Sequence, residues 1–146
     1  MSVQDPVQSV PVSQGDAAAP RSTAWFRISA EGDYLRSELF NRRTVEETTK
    51  FLEAVLAASL EHRLPLVLIC VRNSIPIFTV ERYGFSRYLD LAFQSKYKIA
   101  LVGDALELRI AHQYIATMAR MRGVKLRAFA DETTAIYWLR GGAALS

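Results

Sequence analysis

The pattern of apolar and polar positions begins near Trp25 and ends near Gly142. Trp25-Phe26-Arg27-Ile28 reads as a short strand. Glu31-Gly32-Asp33 has turn chemistry, and Tyr34 to Phe40 reads as a second strand, so the two predict a hairpin. Thr44 and Glu47 form a capping-box pattern ahead of a helix that ends near His62. Leu52, Val55, Leu56 and Ser59 lie at helical spacing along it, with Glu46, Glu53 and Glu61 facing outward. After Pro65, the continuous apolar run Leu66 to Val71 predicts a strand buried on both faces.

A second helix is expected from about Thr79 to Phe93, and a buried strand at Lys98 to Val102. Asp104 is read as the cap of a third helix, with Glu107 at the capping-box position. Leu106, Ile110, Tyr114 and Met118 recur every four residues on that helix and are read as its core face. Gly123 stops it, Lys125 to Phe129 forms the last strand, and Asp131 caps a final helix carrying Ala135, Ile136, Trp138 and Leu139. Two strands, a helix and three strand–helix units predict an α/β fold. Its sheet is five-stranded and mostly parallel, with an antiparallel first strand.

Residues 1–24 are different. Pro6, Pro11 and Pro20, the run Ala17-Ala18-Ala19 and scattered Gln and Ser show no hydrophobic period, which predicts a flexible tail ahead of one domain over 25–142. The chain has 146 residues, half of them apolar or aromatic, enough for one core. Net charge is +3, without the basic stripe and aromatic platform of a nucleic-acid binder. A lone cysteine, Cys70, inside an apolar run excludes an internal disulfide and a cysteine-based zinc site. The two histidines, His62 and His112, have no metal-ligand spacing. No leader and no membrane-length apolar run is seen, so a cytoplasmic setting is expected, with no cofactor.

In a parallel sheet, the loops at the carboxyl ends of the strands carry function. Asn41, Arg42 and Arg43 occupy one such loop, Arg72, Asn73 and Ser74 another, and Gly103 and Asp104 a third. Arginines beside helix N-termini suit an anion, so Arg42, Arg43, Arg72, Asn73 and Ser74 are candidates for a ligand- or anion-binding rim. The competing reading is a solvated surface with Arg42 and Arg43 paired to Glu46 or Glu47. The second-helix region is rich in aromatics, and Phe78, Tyr83, Phe85 and Tyr88 are candidates for an interaction face or for core. Asp104 and Glu107 read as caps rather than catalytic carboxylates, and His112 as a surface residue rather than a general base.

The segments Lys98-Ile99-Ala100-Leu101-Val102-Gly103-Asp104, Met121 to Phe129 and Ala135-Ile136-Tyr137-Trp138-Leu139 resemble the SpoIIAA-like, or STAS-type, family over Trp25 to Arg140. That resemblance implies helices and strands wound as a βα superhelix. It implies kinship with the STAS domains of anti-sigma-factor antagonists and, more loosely, with Sec14-type lipid-binding domains. In the best-known STAS proteins a serine after the third strand, within an Asp-Ser-Ser/Thr-Gly motif, is phosphorylated by a partner kinase. Ser74 occupies a comparable place here, in Val71-Arg72-Asn73-Ser74-Ile75-Pro76, but the flanking Asp and Gly are absent. The expectation is a non-enzymatic binding or regulatory module for a protein partner or a small anionic or apolar ligand, with a homodimer admitted. The alternatives are a carrier of lipids or other hydrophobic ligands, and a small enzyme using Asp104 and His112.

Overall fold

The computed structural model describes residues 21–22, 25–75 and 96–142. The elements are β1 (Arg21–Ser22), β2 (Phe26–Glu31), β3 (Tyr34–Phe40), α1 (Val45–His62), β4 (Leu66–Arg72), β5 (Lys98–Gly103), α2 (Leu106–Met121), β6 (Lys125–Phe129) and α3 (Glu132–Leu139). The strands form one sheet in the order β1-β2-β3-β4-β5-β6, so spatial order follows chain order. The β1–β2 and β2–β3 pairs are antiparallel, and every later pair is parallel. The α/β class and the mostly parallel sheet are those expected from the sequence. The two-residue β1 extends the sheet by an edge strand drawn from the stretch read as tail. The expected helix over 79–93, with Phe78, Tyr83, Phe85 and Tyr88, lies outside the described residues.

Strand alternation divides the core into two layers. Val67, Ile69 and Val71 of β4 and Ile99 and Leu101 of β5 face α1 and α2, where they meet Phe51, Val55, Leu108 and Ile115. Leu68, Cys70, Ala100 and Val102 face the opposite side, with Ala135 and Leu139 of α3. Both central strands are therefore buried on both faces, which is why their sequences are unbroken apolar runs. Ser59 of α1 accepts from the Tyr97 hydroxyl at 2.8 Å while donating to the Leu56 carbonyl, which ties the end of the helix to the start of β5.

Helix α1 begins as its sequence requires. The Glu47 amide donates to Thr44 Oγ1 at 3.2 Å, and Glu47 Oε1 accepts from the Thr44 amide at 3.1 Å. It ends at Arg63, left-handed at φ 56°, whose amide reaches the last-turn carbonyls. Asp131 caps α3 by accepting from the Thr134 amide at 2.8 Å.

Helix α2 departs from expectation in two ways. Its N-cap is Ala105, with no side-chain cap, so Asp104 and Glu107 form no capping box there. Asp104 Oδ2 instead accepts from the Asn73 amide at 3.0 Å. The stripe read as core faces outward: Leu106 is 62% exposed, Ile110 53% and Tyr114 45%. The buried face is Leu108, Ala111, His112, Ile115, Ala116 and Ala119. Both faces are apolar, so hydrophobicity alone could not choose between them. The face rich in alanine lets the helix backbone approach the sheet closely, and that face turns inward.

Gly103, at the end of β5, marks how close this approach is. A Cβ built there would lie 3.0 Å from Leu108 Cβ and 3.2 Å from His112 Cε1. Gly103→Ala is expected to push α2 off the sheet end and to cost about 1–3 kcal/mol, as overpacked sites do. A urea midpoint unchanged from wild type would show that α2 yields without penalty.

Candidate functional site

The carboxyl ends of β3, β4 and β5 carry three loops that are bonded to one another. Asn41 and Asn73 both adopt left-handed backbone, at φ 60° and 46°, a conformation asparagine tolerates better than most residues. Asn73 Nδ2 donates to Asn41 Oδ1 at 2.7 Å. The Asn41 amide reaches the Arg72 carbonyl and the Ile75 amide reaches the Arg42 carbonyl, at 3.2 and 3.1 Å. Ser74 Oγ accepts from the Arg42 amide at 3.0 Å and donates to the Arg72 carbonyl at 2.8 Å. Asn73 and Ser74, expected as ligand contacts, thus serve first as staples between loops.

Arg42, Arg43, Asn73, Ser74, Ile75, Asp104 and Ala105 line an open depression at this edge. Two helix starts border it. That of α1 is capped by Thr44 and Glu47, whereas that of α2 has no side-chain cap. The first amides of α2 therefore keep their donor capacity at the rim. Glu47 Oε1 is taken by the Arg43 and Thr44 amides, so the expected pairing of Arg43 with Glu47 is made by its backbone.

The three candidate arginines separate. Arg43 is exposed at the depression. Arg42 turns inward and is 6% exposed. Its Nη1 donates to Thr48 Oγ1 at 3.2 Å, its Nη2 donates to the Ile75 carbonyl, and its Nε has no hydrogen-bond partner among the described residues. Arg42 makes no ion pair with a carboxylate among the described residues. Burial pulls its guanidinium down to about 10, while the charge of Glu47 acts in the other direction. Arg42 still carries its charge at neutral pH.

Arg72 lies on the α3 side of the sheet and belongs to a different structure. Its Nε donates to Glu38 Oε2 at 2.6 Å, and its Nη2 pairs with Glu132. Arg36 closes the ring, with Nε and Nη2 on Glu132 at 3.2 and 2.8 Å and Nη1 on Glu38 at 3.4 Å. Two arginines and two glutamates neutralise each other, so Arg72 is not available to the anion rim as the sequence had suggested. The Arg36 hydrogen bonds hold the Glu132 carboxyl below its usual range. Cys70 lies beneath the ring, and burial pushes its thiol up to about 12, which keeps it protonated and unreactive.

His112, expected on the surface, is 4% exposed. It lines an internal cavity of about 20 Å³ together with Arg42, Thr48 and the apolar walls of Leu39, Phe51 and Ile69. Its Nδ1 has no hydrogen-bond partner among the described residues. Desolvation, with the Arg42 charge second, takes the imidazole down to about 4, so it is neutral at pH 7. Asp104 lines the open depression and His112 the internal cavity, two separate pockets among the described residues. Among the described residues no cluster of His, Cys, Asp or Glu could hold a metal ion. None of the helices there is long and apolar enough to cross a membrane.

The burial of His112 and the Arg36–Glu38–Arg72–Glu132 ring went unrecognised in the sequence. Their signals were present but incomplete. Arg36, Glu38 and Arg72 share one face by strand parity, yet Glu132 joins them from 96 residues away. His112 sits one helical turn from both Leu108 and Ala116 on a face that only the position of the sheet selects as buried.

No family model matches the chain, and no curated protein matches it. Among solved structures, an NMR structure of the protein TM1081 is similar, with a TM-score of 0.53 at 10% sequence identity, covering 92% of this chain and 99% of that one. The likeness shows that the α/β fold described above is shared across nearly the whole of both chains.

Proposed function

We propose that the protein is a non-catalytic binding module of the STAS-like type. It takes an anionic group, presented by a protein partner or a small ligand, in the depression at the strand ends. The observation that carries this reading is Arg42: a buried cation on the lining of that depression, with no carboxylate partner among the described residues. A desolvated charge costs several kcal/mol unless it is paired, so a binding anion recovers free energy that the empty protein forgoes. Exposed Arg43 and the uncapped start of α2 add donors on the same side. Asp104 contributes a carboxylate to the rim, which disfavours a polyanion such as nucleic acid and suits a single anionic group with a donor beside it.

A carrier of hydrophobic ligands would need a pocket on the order of 300–1,000 Å³. Among the described residues the internal cavity between α1, α2 and the sheet is about 20 Å³, too small for such a ligand, and the expected helix over 79–93 lies outside them.

Titration of the labelled protein with inorganic phosphate, followed by amide NMR, tests the reading. Amide shifts are expected at residues 43–44, 73–74 and 106–108 with millimolar affinity. Arg42→Met should weaken binding at least tenfold. Arg72→Met should leave it within twofold, because Arg72 is consumed by Glu38 and Glu132. If Arg42→Met does not fold, Arg43→Ala serves in its place, with a severalfold loss expected. Absence of shifts at these loops up to high phosphate, or equal loss in Arg72→Met, would sink the proposal.

A further inference from the structure

We infer that the outward face of α2 is an interface with a second copy of this chain, packed helix against helix about a two-fold axis. The face shares no lining residue with the depression at the strand ends, so the inference stands apart from the anion reading.

Three observations carry it. First, α2 is apolar on both sides. Leu108, Ala111, Ile115 and Ala119 pack on the sheet, while Leu106, Ile110, Tyr114 and Met121 are 62%, 53%, 45% and 78% exposed. A surface helix keeps its outer side polar, and one that is hydrophobic all round is covered on both sides. The sheet supplies one cover, and the described residues leave the other side open. Second, the patch is concentrated and large. Among the described residues seven large apolar side chains are exposed, and four of them lie on this one helix. Together the four leave on the order of 400 Å² of apolar surface, a size at which patches are often functional. A stable dimer buries about 800 Å² on each partner, of which this stripe supplies about half. The exposed polar neighbours Glu107, Gln113, Thr117 and Arg120 supply the rim.

Third, the pattern selects a copy of itself. Leu106, Ile110, Tyr114 and Met118 form one ridge of residues four apart, with no charged residue in it. Such a ridge interlocks with the same ridge of a second helix at a crossing of about −50°, the commonest class of helix packing. A two-fold axis through the crossing makes the two contacts identical, and the copy approaches without burying a charge. The other exposed large apolar side chains lie apart, Leu60 on α1, Ile75 in the loop after β4 and Tyr137 on α3. Among the described residues they form no second patch for a head-to-tail contact, so the symmetric contact is the one this surface supports.

Sedimentation velocity of the full chain tests the inference. The mass should rise with concentration from 16.4 kDa toward twice that value, with a half-point in the micromolar range. Ile110→Asp, and separately Tyr114→Glu, puts a charge inside the contact and should raise that half-point at least about tenfold. Both positions are exposed in the single chain, so each variant should keep the far-UV circular dichroism of wild type. Leu60→Asp, at a position 59% exposed on α1, should leave association unchanged. A monomer at every concentration overturns the inference, as does a dimer that both α2 substitutions leave intact. A monomer whose Tm falls in Ile110→Asp would assign the face to the chain's own residues. A monomer that floats with phosphatidylcholine vesicles would assign it to a membrane surface. Either result also overturns the inference.

Discussion

Phe51→Ala is expected to remove about 3–5 kcal/mol of stability, the range for truncating a fully buried aromatic. Phe51 is 1% exposed, its ring centroid lies 5.7 Å from that of Phe26, and it walls the cavity beneath Arg42 and His112. The loss therefore combines a transfer term, a cavity term and a weaker dock of α1 on the sheet. Urea unfolding should show a midpoint well below wild type with an unchanged slope. Leu60→Ala, at a position 59% exposed on the same helix, should change stability by no more than about 0.5 kcal/mol. Similar costs at the two positions would mean that α1 packs on the sheet through another face.

His112 should make the fold sensitive to mild acid. Its imidazole falls from an ordinary 6.5 to about 4 in the folded protein, first by burial and then by the Arg42 charge. In the unfolded chain it titrates near 6.5, so between those values the unfolded state binds more protons. The contribution is fully present above pH 6.5 and is lost as pH falls through the window to about 4. Its size is about 3 kcal/mol, from 1.36 kcal/mol for each pH unit of the shift. Urea denaturation of wild type and His112→Phe across pH 7.5 to 4.5 would read it as a difference that grows toward acid. Parallel stability profiles for the two proteins would mean that His112 titrates normally and is open to water.

The elements were legible in the sequence wherever one local rule decided them. The Thr44–Glu47 capping box, the Leu66–Val71 run and Asp131 at the start of α3 each depend on a few adjacent residues, and each occurs as read. Helix α2 was misread where two local rules competed. Leu106, Ile110 and Tyr114 have the spacing of a core face, but so do Leu108, Ala111, Ile115 and Ala119. Only the distance of closest approach to the sheet, set partly by Gly103, separates the two. The strand-end loops were correctly placed at one edge, but side-chain direction was beyond reach. Arg42, at the end of β3, folds under the sheet edge, while Arg72, at the equivalent end of β4, lies on the opposite face with Glu38. Strand parity would have put both on the Glu38 face; left-handed Asn41 breaks the alternation and turns Arg42 to the other side. The partner from α3 that occupies Arg72 could not have been seen without the fold.

The order of strands in space, which repeats their order in the chain, has a kinetic consequence. Each strand of the sheet pairs with its predecessor in sequence, so each addition closes only one connection. Assembly can then proceed outward from the two-residue turn between β2 and β3, without an early long loop. Helix α3 is the exception. Its Glu132 reaches Arg36 across 96 residues, and Arg140 just beyond it reaches Asp33 across 107. These contacts join the end of the described chain to its first hairpin, and their closure entropy is recovered only once the sheet between them exists. Substitutions in the Arg36–Glu132 pair should accordingly speed unfolding and leave the folding rate nearly unchanged, the behaviour of contacts made after the transition state.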